Sequence, residues 1–250
     1  MKTYFIIQNT KSTLFAMLLA VLAAGHVRGA TVQLQNATAT LSQSGGWVVG
    51  TAIDGVINNS VGWGGYNFSL GQARAETAVF ETFADIGATG GSLLTFQLFQ
   101  VNHNPQHTLG RFRLSVTTDN RNTFADGLAN GGDVTANWSV LTPLTTLATD
   151  GTILTAQGDG SILASGLNPV TSIYTITAAT SLERLTGFRL EVLEDPSLPF
   201  SGPGRYPANG NFVLTEFQVG IAPVPEPSVI ALFACSGIAL LAMKVRRAKS

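Results

Sequence analysis

The chain has 250 residues, 45% of them hydrophobic and only 12% charged, and its formal net charge is −1. Every lysine lies in the terminal segments, and residues 31–222 contain seven arginines against fourteen acidic residues, a net charge of −7. This acidic, lysine-free middle argues against nucleic-acid or anionic-membrane binding, and the one cysteine, Cys235, excludes an intramolecular disulfide.

The N-terminal segment, residues 1–29, has the pattern of a secretory signal peptide. Lys2 and Lys11 precede an apolar run from Leu14 to Gly25, and small residues follow that run. Cleavage after Gly29 is the favoured site. A permanent N-terminal membrane helix is the alternative, although the apolar run is short for one.

The region from residue 31 to residue 220 alternates apolar and polar residues with a period of two. Residues 109–118 show it most clearly, because Phe112, Leu114 and Val116 point one way while Arg111 and Arg113 point the other. Such alternation predicts strands with one buried face. Glycine-rich turns separate the strand candidates, and the stretch 128–147 leaves room for one or two helical turns. We therefore predict an all-β fold, a single antiparallel β-sandwich of the jelly-roll type.

A polar loop near residue 54 supplies the oxygen atoms that a hard cation prefers. Asp54, Asn58, Asn59 and Ser60 lie within one short loop, and Glu216 in the last predicted strand is a remote carboxylate. Ca²⁺ takes about six to eight oxygen ligands in proteins. We predict a Ca²⁺ site from these residues. The alternative is structural: Asp54 caps a turn, while Trp63 packs in the core.

The stretch from Ala52 to Trp63 resembles the Asp-Gly…Trp signature of discoidin-like, galactose-binding-type β-sandwiches. Val56 stands where that family has asparagine, and Trp63 comes about two residues late. The resemblance implies a galactose-binding-like sandwich and a structural Ca²⁺ in this loop. It also implies a carbohydrate-binding module, for which exopolysaccharide is the expected ligand.

Sugar-binding sites use aromatic rings that stack on the sugar, and three aromatic residues are the candidates here: Tyr66, Tyr206 and Trp63. His103 and His107 have the spacing of helical zinc ligands, but Pro105 lies between them and the pair is interpreted as loop histidines. A glycoside hydrolase would need two facing carboxylates, and the sequence offers no pair to choose. We therefore predict that the protein is not an enzyme.

The C-terminal end reads as a short proline-rich linker, an apolar helix and a basic tail. The linker is residues 221–227, the apolar run 228–243 and the basic tail 244–250. A 16-residue helix is about 24 Å long, close to what a transmembrane span needs. The basic tail predicts a cytoplasmic end. The alternatives are an ordinary tail anchor and a buried core helix.

This tail resembles the PEP-CTERM sorting signal of exosortase substrates. The residues that carry the resemblance are Val224, Pro225, Glu226, Pro227, Arg246 and Arg247. In that family an integral-membrane exosortase is thought to recognise and cleave near the motif. The resemblance implies an exported cell-surface or extracellular-matrix protein, anchored in the inner membrane only until it is processed.

Overall fold

The computed structural model describes residues 29–57 and 60–224. Residues 29–223 form one compact unit. The predicted signal peptide except Gly29, the apolar run, the basic tail and all of the sorting motif except Val224 lie outside the described residues. Within the described ranges, no helix has the length and apolar character needed to cross a membrane.

The described residues contain sixteen β-strands and three short 3-10 helices, at Val49–Ile53, Arg121–Thr123 and Pro199–Ser201. The strands are β1 (Ala30–Thr31), β2 (Leu34–Ala39), β3 (Trp63–Gly64), β4 (Tyr66–Asn67), β5 (Gln72–Ala73), β6 (Glu76–Ile86), β7 (Ser92–Gln100), β8 (Arg111–Thr117), β9 (Ser139–Val140), β10 (Pro143–Ala148), β11 (Thr152–Ala156), β12 (Ser161–Gly166), β13 (Ser172–Thr180), β14 (Leu185–Val192), β15 (Val213–Leu214) and β16 (Glu216–Pro223).

Two antiparallel sheets make up the domain. One has five strands in the order β1-β16-β7-β13-β10, and the other has the order β11-β12-β8-β14-β6-β2 with β9 added beside β8. The pairs β3–β15 and β4–β5 form two further small ribbons. The predicted all-β antiparallel sandwich is therefore confirmed, while the assignment to a jelly roll stays a prediction. The helical turns expected between residues 128 and 147 are wrong, because residues 128–138 contain only bends and irregular backbone, and β9 and most of β10 lie in the remainder.

The core lies between the inner faces of the two sheets, as the alternation predicts. On β7, Phe96 is fully buried between half-buried neighbours, and its ring packs 5.6 Å from Phe188 of the other sheet. Phe217 of β16 stacks on Phe80 at 4.8 Å. Aromatic rings of both sheets thus fill one continuous core, and each buried ring of this size contributes several kcal/mol, about 3–5 when it is truncated to alanine.

Several long connections lie at one end of the sandwich, where β7, β14 and β2 end and β6, β8 and β16 begin. We call this the long-loop end; it comprises residues 40–57, 60–75, 101–110 and 193–212. Backbone hydrogen bonds join its loops: the Gly64 amide donates to the Trp47 carbonyl at 3.2 Å, and the Ala73 amide donates to Asn209 at 3.1 Å. Because these loops are tied together, side chains far apart in the sequence are held side by side there.

Candidate functional site

The loop after the first 3-10 helix turns tightly at Asp54 and Gly55. The Asp54 carboxylate accepts a hydrogen bond from the Val56 amide at 2.8 Å, which is an Asx turn, and Gly55 has φ +81°. A left-handed φ of this kind favours glycine because it has no Cβ. Asp54 therefore caps a turn, as the structural alternative proposed, and its side chain is exposed.

Glu216, the first residue of β16, lies directly beside this turn. The register pairs it with Phe99 on the outer face of the five-stranded sheet, but the loop covers it, so that it is only 4% exposed. The Gly55 amide donates to its Oε2 at 3.2 Å. Burial, together with the negative charge of Asp54, raises the pKa of the Glu216 carboxyl to about 7 against the opposing hydrogen bonds from Gly55 and Gln218. The fold thus brings together two carboxyl groups that are 162 positions apart in the sequence.

The donor set of this loop fits a hard divalent cation in its chemistry. Two adjacent carboxylates, one of them buried, attract a cation, because the cation relieves both their repulsion and the cost of burial. Ser60 lies exposed in the same loop, while Asn58 and Asn59 lie outside the described residues. No group of three or more histidine, cysteine or acidic side chains that could hold a metal occurs in residues 29–57 and 60–224. The remaining ligands would have to be amide, hydroxyl or backbone oxygens.

Trp63 is a core residue. Its side chain is completely buried on β3, where the ring meets Phe212 edge-on at 5.0 Å and the indole N–H donates to the Leu41 carbonyl at 3.0 Å. A buried ring has no face on which a sugar can stack. The expectation that Trp63 contacts a ligand is therefore corrected, and the residue instead anchors the loop that follows Asp54.

Tyr66 lies on the β4–β5 hairpin at the long-loop end. It is half-buried and packs edge-to-face against Phe68 at 4.9 Å, and the Phe68 side chain is 65% exposed. Leu70, at the turn of the same hairpin, is 56% exposed. Sequence reasoning missed Phe68 and Leu70, although two large apolar residues inside a Gly/Asn/Ser turn were a readable signal of surface function.

Tyr206 lies on the neighbouring loop and stacks on His107. The two rings are 3.9 Å apart between centroids and inclined by only 18°. Burial lowers the pKa of the His107 imidazole against the opposing effect of backbone contacts to Pro105 and Asn104. His107 is thus held neutral beneath the tyrosine, and the pair forms a rigid, half-buried aromatic platform.

Arg205, which the sequence did not single out, holds this platform in place. It is 7% exposed, and its guanidinium donates to the carbonyls of Leu167 at 2.7 Å and Gly166 at 2.8 Å. The planar guanidinium group has five N–H donors in a fixed geometry, so it can bond two separate carbonyl groups at once. The compact ammonium group of lysine is less suited to bridging them. The clamp joins the Tyr206 loop to the end of β12.

The two histidines do not form a metal site. His107 stacks on Tyr206, whereas His103 is exposed and lies 6.5 Å from the Trp47 ring. An open groove of about 530 Å³ lies elsewhere, outside the long-loop end, and Asp119 is its one acidic lining residue. That carboxylate already accepts hydrogen bonds from the Asn137 backbone and side chain. The groove therefore presents no pair of free carboxylates.

Comparisons with known proteins give only distant similarity. No family model matches the chain, and no curated protein matches it. Among solved structures, the module CBM32-3 from a family 31 glycoside hydrolase of Clostridium perfringens is 12% identical, covering 75% of this chain and 94% of that chain at a TM-score of 0.41. A structure of the Streptococcus pneumoniae beta-galactosidase BgaA is 11% identical, covering 78% and 99% at a TM-score of 0.44. The fold assignment rests on the strand pairing described above.

Proposed function

We propose that the protein is an exported, non-enzymatic surface or matrix component whose sandwich binds carbohydrate through its long-loop end. The observation that carries the proposal is the clustering of accessible aromatic rings there: Tyr206 over His107 on one loop and Tyr66 with the exposed Phe68 on the next. Exposed rings held by rigid backbone are suited to stacking on the apolar face of a sugar, because little side-chain entropy remains to be lost on binding.

The charge of the domain supports a neutral or cation-bridged glycan. Residues 31–222 carry a net charge of −7 and contain no lysine, so an anionic polysaccharide would be repelled unless a cation bridged the two. Exopolysaccharide made by the producing cells is the ligand expected for a protein exported to their surface.

We assign the loop of Asp54 and Glu216 a supporting role as a structural Ca²⁺ site. Asp54, Asn58, Asn59, Ser60 and Glu216 are the proposed ligand residues. A bound cation would replace the repulsion between the two carboxylates by attraction to both. It would thereby stiffen the loop beside the aromatic residues.

Binding of the full chain to purified exopolysaccharide and to galactose-terminated oligosaccharides, measured with and without a calcium chelator, tests these proposals. We expect Tyr206→Ala and Tyr66→Ala each to weaken binding about 5- to 100-fold, as the loss of about 1–3 kcal/mol predicts. Phe83→Ala is the matched control, because Phe83 is 63% exposed on β6 outside the long-loop end. Equal effects of all three substitutions, or binding to no glycan, would refute the aromatic site. Binding that ignores the chelator would remove only the Ca²⁺ proposal.

The second part of the proposed function is sorting by exosortase, and the tail sequence carries it. Val224 to Pro227 is the recognition motif, residues 228–243 are the temporary membrane anchor, and Arg246 with Arg247 sets its orientation. The mature C-terminus, read by mass spectrometry in exosortase-positive and exosortase-null cells, tests it. We expect cleavage near the motif in the first cells only, loss of cleavage in Glu226→Ala, and normal cleavage in the control Pro223→Ala. An intact Ser250 in both cell types would refute processing.

A secreted glycoside hydrolase is the less favoured alternative. Asp54 and Glu216 are adjacent carboxyl groups with different environments, which is a pattern that hydrolases use. Glu216 is only 4% exposed, so its carboxyl group is not open to a substrate. We therefore propose that the pair has a structural rather than a catalytic role. Release of reducing sugar from exopolysaccharide that is lost in Glu216→Gln would reverse this assignment.

A further inference from the structure

The outer face of the five-stranded sheet carries an unusual set of side chains, and the strand register shows how they are arranged. On β7, Thr95 and Gln97 alternate with the buried Phe96 and therefore point outward. Directly opposed residues of antiparallel strands share a face, so the outward set can be extended from strand to strand. The central outward positions, which we call the threonine–glutamine face, are Thr31, Thr95, Gln97, Thr145, Thr175, Thr177 and Gln218. The outward positions that flank them on β7 and β13 are apolar, with Leu93 opposite Ala179 and Phe99 opposite Ile173.

These residues form two rows that run across the strands. The first row passes through Thr145, Thr177, Thr95, Gly220 and Thr31, and each residue is paired with the next. The second row passes through Leu147, Thr175, Gln97 and Gln218. Neighbouring strands lie about 4.8 Å apart, so adjacent members of a row present hydroxyl or amide groups at that spacing, interrupted at Gly220 in the first row and beginning after Leu147 in the second.

The face is uncharged, in contrast with the rest of the domain. Among the described residues at its outward positions, Glu216 is the one ionisable side chain, and the Asp54 loop covers it. The outer face of the other sheet is charged instead: Glu191 bridges Arg113 at 2.8 Å and Arg189 at 3.1 Å. The outer faces of the two sheets therefore differ in chemistry, one presenting mainly hydroxyl and amide groups and the other ion pairs.

Three polar side chains at the centre of the face are available to a partner. Thr145 and Thr177 share a hydrogen bond of 2.6 Å. In the described part of the chain, the side chains of Thr95, Gln97 and Thr175 make no hydrogen bond to protein, and all three are partly exposed. A hydroxyl or amide can exchange water for a ligand hydroxyl at little cost, whereas a charged group that lost its water without a counter-charge would oppose binding.

The composition of the face selects one kind of partner. A protein interface needs a buried apolar and aromatic centre, but this face has threonine and glutamine at its centre. Its apolar side chains lie around that centre: Leu93, Phe99 and Ile173 flank the two rows, and the exposed Leu147 lies on the edge strand β10. An acidic polymer needs arginine or lysine, and none occupies the described outward positions. We propose that the threonine–glutamine face binds an extended chain of neutral polysaccharide along its rows of hydroxyl and amide groups. This partner is of the same class as in the proposed function, but the residues differ, so the two proposals fail separately.

The test measures binding of the full chain, in mild detergent, to soluble mixed-linkage β-glucan and dextran as neutral polymers and to alginate as an acidic one. The triple variant Thr95→Val, Thr175→Val, Thr177→Val removes three hydroxyls and keeps the shape and the β-branching of the side chains. We expect it to weaken binding to at least one neutral polymer about tenfold or more, because each net hydrogen bond is worth about 1 kcal/mol. Thr77→Val, on the outward side of β6 opposite Glu191, is the matched control and should change nothing.

The comparison with the long-loop end separates the two sites. Tyr206→Ala should weaken the binding of short oligosaccharides. When it is added to the triple variant, the loss of polymer binding should stay the same. Polymer binding that survives in the triple variant, or that is lost only in Tyr206→Ala, would overturn the proposal. So would preferential binding of alginate. If light scattering showed a dimer that the triple variant abolishes, without any neutral-polymer binding, the face would belong to a second copy of the chain and the proposal would also be wrong.

Discussion

Glu216→Gln separates the burial of a carboxyl group from the binding of a cation. In the folded protein, burial raises the pKa of the Glu216 carboxyl from 4.5 to about 7. The folded state therefore holds this proton more tightly than the unfolded state does. The resulting stability is fully present below pH 4.5 and is lost as the pH rises through about 7. Glutamine keeps the size and an acceptor for the Gly55 amide but does not titrate, so it isolates this contribution.

The magnitude follows from the shift in pKa. A difference of about 2.5 pKa units at about 1.36 kcal/mol per unit amounts to about 3 kcal/mol. We expect the free energy of unfolding of the wild type, relative to Glu216→Gln, to fall by up to this amount between pH 4.5 and pH 8 in chelator. Calcium should restore most of this loss at pH 8, because a ligand at 100 times its Kd stabilises the wild type by about 2.7 kcal/mol.

Urea unfolding of residues 29–224, followed by tryptophan fluorescence, measures both effects, since the fully buried Trp63 becomes exposed on unfolding. Glu194→Gln is the control, because that side chain is 42% exposed on the surface and pairs with Arg74. The account of burial would be refuted if the difference in the free energy of unfolding between the wild type and Glu216→Gln stayed constant from pH 4.5 to pH 8. A calcium response that is equal in wild type, Glu216→Gln and Glu194→Gln would refute the cation site.

Three further outcomes follow from the packing. Phe217→Ala should lower the free energy of unfolding by about 3–5 kcal/mol in urea, because the ring is 1% exposed between Phe80 and Phe96; a loss below about 1 kcal/mol would contradict its place in the core. Arg205→Ala should cost about 3 kcal/mol and Arg205→Lys less, since the backbone carbonyls that the guanidinium satisfies lose their donors; equal costs would argue against the clamp. Burial lowers the pKa of the His107 imidazole, so the stability it contributes at neutral pH should be lost as the pH falls below 6.5. An NMR titration should show the His107 pKa rising towards 6.5 in Tyr206→Ala, and an unchanged pKa would show that the stacked ring is not what buries it.

Local patterns determined the fold class and the direction of individual side chains. The alternation along β7 and β8 assigned Phe96, Phe112 and Leu114 to the core, because a strand turns successive side chains to opposite faces whatever its partners are. The turn at Asp54 and Gly55 could also be predicted from the sequence, because it depends on only two adjacent residues. The stretch 128–147 was misread, because its polar, irregular pattern hid strands whose conformation is imposed by pairing with β8 and β13.

The tertiary structure alone decided which of these local features meet. Trp63 and Tyr66 are three residues apart, yet the first is buried against Phe212 and the second lies on a surface hairpin. The pKa of Glu216 depends on a loop that contacts it across the fold, and the threonine–glutamine face depends on the register of five strands drawn from both ends of the domain. Burial and strand register are non-local, because they result from hydrogen bonds and packing between segments that are distant in the sequence, such as β1 with β16. The alternation along one strand predicts which face a side chain lies on. It does not predict which residues of other segments lie beside that side chain and give it a function.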